Sequence, residues 1–140
     1  MFDRDFITSP VMLRFSATTV LIVEDDAATR EMYRQALTAS GHRTIAVADG
    51  LAALRHLEGD RPDVVVLDLM LPTLGGHDVY RELRANPETR EIPVVIVTGS
   101  DARNLEPNEF RFFLRKPVSP ETLTRVVEDA LHWPHPVVGI

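Results

Sequence analysis

The 140-residue chain contains no cysteine and no long hydrophobic run. Without cysteine there is no disulfide, no thiolate nucleophile and no cysteine-based zinc site, so a reducing compartment is permitted. No uninterrupted apolar stretch approaches the ~18 residues of a membrane span, and the short apolar pieces of residues 1–17 make a poor signal peptide. We therefore expect a cytoplasmic protein without membrane insertion, in which residues 1–17 form a loosely ordered arm.

An excess of positive charge is also lacking, since the formal net charge is −6. This balance argues against a broad electrostatic grip on nucleic acid and favours a partner with a basic surface. The composition, 44% hydrophobic and 26% charged, is that of an ordinary globular protein. The length predicts a single domain. We expect that domain at residues 18–132, followed by an irregular tail at 133–140.

Apolar runs alternate with helical patterns along most of the sequence. This alternation predicts an α/β fold with a parallel sheet covered on both faces. The predicted strands lie near 19–24, 43–48, 63–68, 93–98 and 111–115. Helices are predicted at about 27–40, at 50–58, from Gly76 to just before Pro87, and along the stripe formed by Leu123, Val126, Val127, Ala130 and Leu131. Residues 101–108 leave space for about two helical turns, which predicts a shortened helix between the fourth and fifth strands.

Chemically active side chains follow four of these strands. Asp68 closes the run Val64–Leu67, and Glu24 and Asp25 follow the first strand. Thr98 and Lys116 end the fourth and fifth strands. In a sheet of order 2-1-3-4-5, the carboxyl ends of the first and third strands flank the point where the winding reverses, which is where ligands collect. These side chains should therefore meet at one edge of the sheet.

The expected cluster of carboxylates requires a cation. Carboxylates packed together repel one another by roughly several kcal/mol at intermediate dielectric, and a divalent ion and a lysine would relieve that repulsion. A ligand set of oxygen atoms alone favours Mg²⁺. The pattern suits phosphoryl transfer to a carboxylate, with Asp68 as nucleophile, Asp25 as a direct metal ligand and Glu24 as a ligand through water. Lys116 and the Thr98 hydroxyl would bind phosphoryl oxygens.

Four motifs in this order resemble the receiver domain of two-component response regulators. They are the segment 20–26 (VLIVEDD), Asp68 to Pro72 followed by Gly76, the segment 92–99 (IPVVIVTG), and Lys116-Pro117. The resemblance covers about residues 18–132. It implies a flavodoxin-like, doubly wound five-stranded parallel sheet like that of the chemotaxis response regulator (CheY), which is itself one of the standard examples of that strand order.

The same resemblance implies roles for individual residues. Asp68 would accept a phosphoryl group from phosphohistidine on a histidine kinase or a histidine phosphotransfer protein. Glu24, Asp25, Asp68 and the main-chain carbonyl of Met70 would bind Mg²⁺. Thr98 and Phe113 would act as a coupled switch that changes contacts with an unknown downstream protein target. The protein would not be an enzyme beyond promoting its own phosphorylation and dephosphorylation.

Some features depart from the family pattern and leave alternatives open. The segment from Thr98 to Lys116 is shorter than usual, so the downstream target and a homodimer stay open. Met70 and Ser100 stand at two positions that flank the path of attacking water, where Asn- or Glu-type side chains are missing, and we hypothesise that hydrolysis of the aspartyl phosphate is not especially fast. A phosphorylation-independent binding module is one rival. A phosphatase with an aspartate nucleophile is the other, but a second acid would then be expected at position 70.

Structural roles compete with functional ones at several positions. Asp25 or Asp26 is expected to cap the first helix, with Asp26 interpreted as a first-turn acid rather than a metal ligand, and Phe113 could simply belong to the core. The side chains of Met32 and Met70 are expected to pack. Trp133 covers the end of the last helix or contacts a partner. The histidines show no ligand spacing and are interpreted as solvated or capping residues: His42, His56, His77, His132 and His135.

Overall fold

A computed structural model describes residues 18–99 and 110–133 of the chain. Its strands are β1 (Thr19–Val23), β2 (Arg43–Val47), β3 (Val64–Leu67), β4 (Val94–Thr98) and β5 (Phe112–Arg115). The helices in these ranges are α1 (Ala27–Ala39), α2 (Gly50–Gly59), α3 (Gly76–Ala85) and α4 (Pro120–Leu131). The predicted shortened helix at 101–108 and the arm at 1–17 lie outside the described residues, as does the tail beyond Trp133.

All five strands run parallel in one sheet of order β2-β1-β3-β4-β5, which confirms the predicted topology. The three central strands are almost entirely buried because helices cover both faces of the sheet, and their continuous Val, Ile and Leu sequences are typical of that position. Alternate residues of each strand enter opposite cores. Val20 and Ile22 pack with the α1 and α4 side, whereas Leu21 and Val23 pack with the α2 and α3 side.

The helices begin and end where local chemistry permits. Asp26 caps α1 as predicted, because its carboxylate accepts hydrogen bonds from the backbone N–H of Thr29 at 2.9 Å and from the Thr29 hydroxyl at 2.7 Å. After α1, Gly41 has φ of +98°, the left-handed conformation that glycine adopts without strain. Ser119 caps α4, and Pro120 occupies its first turn, where the missing N–H is harmless.

The structure tests two predictions at the last helix, the apolar stripe along α4 and the position of Trp133. Leu123, Val127 and Ala130 are buried, and Val126 and Leu131 pack against the same cluster, so the predicted stripe is confirmed. Trp133 remains 43% exposed. It lies edge-to-face on Phe112 at 5.9 Å between ring centroids, with the Arg111 guanidinium 4.6 Å from its own ring centre. It therefore packs on β5 just beyond α4.

The interpretation of His42 as a solvated residue is wrong. Only 8% of the residue is exposed, and Nε2 lies 2.8 Å from Oε2 of Glu128 on α4. His42 follows the stop of α1 and precedes β2, so its ring is enclosed where α1 and α4 pack together. A sequence pattern without ligand spacing gives no information on such an isolated buried contact.

No helix among the described residues is long and apolar enough to cross a membrane.

Hydrogen bonds that continue the strand ladders bring the predicted site residues to one edge. The backbone N–H of Asp68 donates to the carbonyl of Val23 at 3.1 Å, directly linking the ends of β3 and β1. Lys116 N–H donates to the Thr98 carbonyl at 2.7 Å and so links the ends of β5 and β4. The four strands therefore deliver their terminal side chains to neighbouring positions.

Candidate functional site

Three carboxylates converge at the carboxyl edge of the sheet. One oxygen from each of Glu24, Asp25 and Asp68 lies within 4.8 Å of the others. Glu24 and Asp68 are buried, with 1% and 2% of each residue exposed, whereas Asp25 faces solvent. The group therefore has a buried base and an exposed entrance. Among the described residues it is the one cluster of three or more acidic, histidine or cysteine side chains with this spacing.

Lys116 joins the two buried acids. Its Nζ lies 2.9 Å from Oε1 of Glu24 and 2.9 Å from Oδ2 of Asp68. β5 is separated from β1 by β4 and β3, so the Lys116 side chain must extend along the edge of the sheet to reach Glu24. The Lys116–Pro117 peptide bond is cis. One ammonium thus pairs with two of the three clustered carboxylates, and the pocket keeps a formal excess of negative charge.

The pKa values reflect this balance. Burial raises the pKa of Glu24 above 4.5, the charge of Asp68 raises it further, and the hydrogen bond from Lys116 only partly offsets them. For Lys116, burial alone would lower the pKa, but the hydrogen bonds to Glu24 and Asp68 raise the pKa above its usual range. Lys116 therefore stays protonated and Glu24 holds its negative charge less readily than a free glutamate.

Main-chain groups fix the orientation of the two buried carboxylates. Oδ1 of Asp68 accepts a hydrogen bond from the N–H of Met70 at 2.9 Å, and Oε2 of Glu24 accepts one from the N–H of Asp26 at 3.1 Å.

The Met70 side chain does not pack as predicted, since Met70 is 53% exposed in the loop after β3. Met32 does pack against the core beside α4.

Thr98 and Phe113 occupy different environments near this pocket. Thr98 is fully buried, and within the described parts of the chain its hydroxyl has no hydrogen-bond partner. Phe113 is half-buried and stacks on Phe110 at 6.3 Å between ring centroids, on the α3 side of the sheet. An unpaired buried hydroxyl is unusual, because leaving it so costs about 1–3 kcal/mol. Ser100, which bears on the hypothesis of slow hydrolysis, lies outside the described residues.

Gly76 is a site residue whose structural role was not predicted. It begins α3 directly behind Asp68, and a Cβ at this position would overlap the carbonyl oxygen of Asp68 and the Cα of Leu69. Its own N–H donates to the Leu69 carbonyl at 3.2 Å. Only glycine allows this contact with the backbone that carries Asp68. The sequence motif contained Gly76 but did not indicate what it touches.

An open depression adjoins the pocket on the α1 side. Its volume is about 430 Å³, and it is lined by Thr29, Met32, Tyr33, Gly99, Lys116, Pro117 and Val118. Much of the lining is apolar. The depression therefore leaves Lys116 partly accessible, in contrast to the buried carboxylates of Glu24 and Asp68.

The donor set and charge fit a hard divalent cation. Every side-chain donor in the acidic group is a carboxylate oxygen, the type of ligand that Mg²⁺ prefers. The single ammonium of Lys116 leaves negative charge uncompensated, and Asp25 is accessible from solvent. The residues therefore fit Mg²⁺ together with its bound water.

Comparison with known proteins relates this arrangement to a large family. Residues 20–128 match the family model of the response regulator receiver domain. The response regulator MprA of Mycobacterium ulcerans is 39% identical over 83 residues, which are 59% of this chain and 35% of that protein. The matched region is thus about a third of the length of this curated relative.

Solved structures agree with the fold. A CheY-like receiver domain from Methylobacillus flagellatus has a TM-score of 0.72 and 29% identity, covering 81% of this chain and 98% of that one. The receiver domain of a sensor histidine kinase from Pseudomonas aeruginosa, solved with a magnesium ion coordinated in its active site cleft, has a TM-score of 0.72 and 29% identity. That match covers 81% of this chain and 97% of the other.

Proposed function

This chain belongs to the family of response regulator receiver domains, and on that premise we propose that it accepts a phosphoryl group on Asp68 from phosphohistidine. The donor is a histidine kinase or a histidine phosphotransfer protein. The observation that carries the proposal is the buried Asp68 carboxylate, held 2.9 Å from the Lys116 ammonium and within 4.8 Å of two further carboxylates. A buried carboxylate contributes nothing to solubility, whereas a fixed cation beside it can neutralise charge as the carboxylate attacks phosphorus.

In the proposed reaction, a carboxylate oxygen of Asp68 forms a bond to phosphorus while the bond from phosphorus to the imidazole nitrogen breaks. The imidazole leaves and takes up a proton from solvent. The N–H of Met70 holds the Asp68 carboxylate in orientation through its bond to Oδ1. Lys116, already 2.9 Å from Oδ2, is within reach of a phosphoryl oxygen bonded there.

Glu24, Asp25 and Asp68 would hold Mg²⁺, with the main-chain carbonyl of Met70 as a further ligand. When bound, it neutralises charge on the transferring phosphoryl group. Asp25, which is exposed, would contact the ion directly, and Glu24, which already pairs with Lys116, would contact it through water. This chain's own part is to hold the three carboxylates together and to exclude bulk water from two of them.

Phosphorylation is proposed to act by shifting a population of conformers. The phosphoryl group adds charge and strong acceptor oxygens at the end of the sheet. The Thr98 hydroxyl, which has no partner among the residues that the structure describes, would donate to one of those oxygens. A movement of Thr98 would free space for Phe113 and so alter the surface beside β5, where we place the contact with the unknown downstream protein or with a second copy.

Intact mass after incubation with Mg²⁺ and acetyl phosphate or phosphoramidate tests the proposal. The wild-type protein should gain the mass of one phosphoryl group, and Asp68→Asn should gain none. Asp60→Asn is the matched control, because Asp60 is an exposed aspartate at the end of α2. An equal gain in Asp68→Asn would place the modified residue elsewhere, and no gain in the wild type would favour a phosphorylation-independent binding module.

A further inference from the structure

Arg30 touches the main chain of both residues that begin the acidic loop. Its Nη1 donates to the carbonyl oxygen of Glu24 at 2.9 Å and to that of Asp25 at 3.2 Å. Arg30 belongs to the first turns of α1, and its backbone N–H donates to Asp26 at 2.8 Å as part of the helix. One side chain thus ties α1 to the two residues that precede its cap.

These contacts address a conflict in the loop. Glu24, Asp25 and Asp26 are three consecutive acids, and the carboxylates of the first two are directed toward Asp68. Their repulsion favours a loop that opens outward. Their carbonyl groups precede the cap of α1, and Arg30 is the side chain that supplies donors to both of them.

We propose that Arg30 is a positioning residue for the divalent-cation site: it holds the Glu24–Asp25 backbone so that the two carboxylates face Asp68. Arg30 contacts neither carboxylate nor cation in this role and acts through the carbonyl oxygens. The planar guanidinium suits the task because it presents donors in a fixed geometry, which a lysine ammonium does not. The inference rests on the proposed function, since it assigns the cation to the same acidic group.

The sign of the effect separates positioning from simple electrostatics. Arg30 is a cation near a proposed cation site, so Coulomb repulsion alone predicts that removing its charge would strengthen Mg²⁺ binding. A positioning role predicts that removing Arg30 weakens Mg²⁺ binding. Without the hydrogen bonds from Arg30, the loop no longer holds the Glu24 and Asp25 carboxylates close to Asp68. Substitutions that disturb the groups orienting metal ligands typically weaken metal affinity by ~10–100-fold.

The test is a titration of the 140-residue chain with MgCl₂, in which binding is followed by the backbone amide NMR signals near Asp68. Arg30→Met should weaken the affinity by about 10-fold. In the metal-free protein, the amides of Asp25 and Asp26 should exchange hydrogen faster than in the wild type. Arg34→Met is the matched control, since Arg34 lies one turn further along α1 and pairs only with Glu31 among the contacts described, at 2.6 Å. It should leave both measurements unchanged.

Unchanged or tighter Mg²⁺ binding by Arg30→Met would overturn the inference, as would an equal loss in Arg34→Met. Should Arg30→Met fail to fold, Arg30→Lys is measured instead. It keeps the charge but loses the planar donor geometry, so a smaller weakening is expected, and unchanged affinity overturns the inference in the same way. A wild-type protein that takes up phosphoryl on Asp68 while Arg30→Met binds Mg²⁺ normally would refute this inference alone. A wild-type protein that binds no Mg²⁺ would refute both proposals.

Discussion

Replacing Lys116 with methionine should destabilise the metal-free domain strongly. Methionine keeps most of the apolar length of the side chain but removes its ammonium. Glu24 and Asp68 would then stay buried, with carboxylate oxygens within 4.8 Å of each other and no cation between them. Removing one partner of a buried charge pair is far more damaging than removing an exposed one, because the charge left behind has lost its hydration.

The expected size follows from the distances. Each contact of Lys116 at 2.9 Å corresponds to about 6 kcal/mol of gross Coulomb energy at an effective dielectric of ~20. Most of this is offset by the desolvation of the charges, and losing one partner of a buried pair typically costs about 3–5 kcal/mol. The Lys116 side chain is 26% exposed, and Glu24 already has a raised pKa and can take up a proton. We therefore expect the lower end, about 3 kcal/mol.

Urea unfolding followed by far-UV circular dichroism measures this loss, in EDTA and again in Mg²⁺. Mg²⁺ should narrow the difference between wild type and Lys116→Met, because a bound cation stabilises the folded state that it occupies and the variant lacks the competing ammonium. Arg34→Met removes an exposed pair with Glu31 and should change stability little, because water and salt screen such a pair. A loss for Lys116→Met as small as that of Arg34→Met would refute the reasoning, since it would mean that the two acids are not buried around this lysine.

Two further substitutions test the geometry and the electrostatics of the pocket. Gly76→Ala should destabilise the protein by ~1–3 kcal/mol and slow labelling of Asp68 by acetyl phosphate, because the new methyl group would press against the Asp68–Leu69 backbone. Gly59→Ala is the control, since nothing lies within 4 Å of its added carbon. Equal stability of the two variants would contradict the close contact at Gly76. Glu24→Gln should be more stable than wild type near neutral pH, because burial raises the pKa of Glu24 and its ionised form costs folding free energy there. The stability advantage of Glu24→Gln should shrink as the pH falls through the raised pKa of Glu24, and it should vanish below 4.5, the pKa of a free glutamate. If the urea midpoints of the variant and the wild type move further apart on acidification, the prediction is wrong.

The parts of the fold that were predictable from sequence have a common physical origin. A strand buried on both faces must be apolar along its whole length, so the runs before Glu24, Asp68 and Thr98 marked β1, β3 and β4 without ambiguity. Parallel pairing then requires all their carboxyl ends to share one edge. The convergence of Glu24, Asp25 and Asp68 was predictable for that reason, and the structure brings Lys116 to the same place.

The contacts that escaped prediction depend on side-chain reach rather than on periodicity. Arg30 lies on the solvent side of an amphipathic helix pattern, and nothing in its spacing distinguishes it from Arg34, yet one binds two main-chain carbonyls and the other a surface acid. His42 looks like a residue of a turn, but its ring is enclosed against α4. Gly76 looks like an ordinary helix start, and only the backbone behind it explains the missing side chain.

Asp25 is exposed beside two buried acids, so the pocket can fold without a metal and would still be open to the proposed Mg²⁺. The ammonium of Lys116 compensates the negative charges of Glu24 and Asp68, which are buried away from water. Asp25 is exposed, so its carboxylate keeps its hydration when the chain folds. A phosphoryl group on Asp68 would add negative charge beside the ammonium of Lys116. Its oxygens would compete with the Glu24 carboxylate for contact with that ammonium. The amine that stabilises the metal-free fold is therefore the amine that would hold the phosphorylated state. If the proposed function holds, a change at Lys116 should therefore alter both the folding stability of the domain and its phosphorylation.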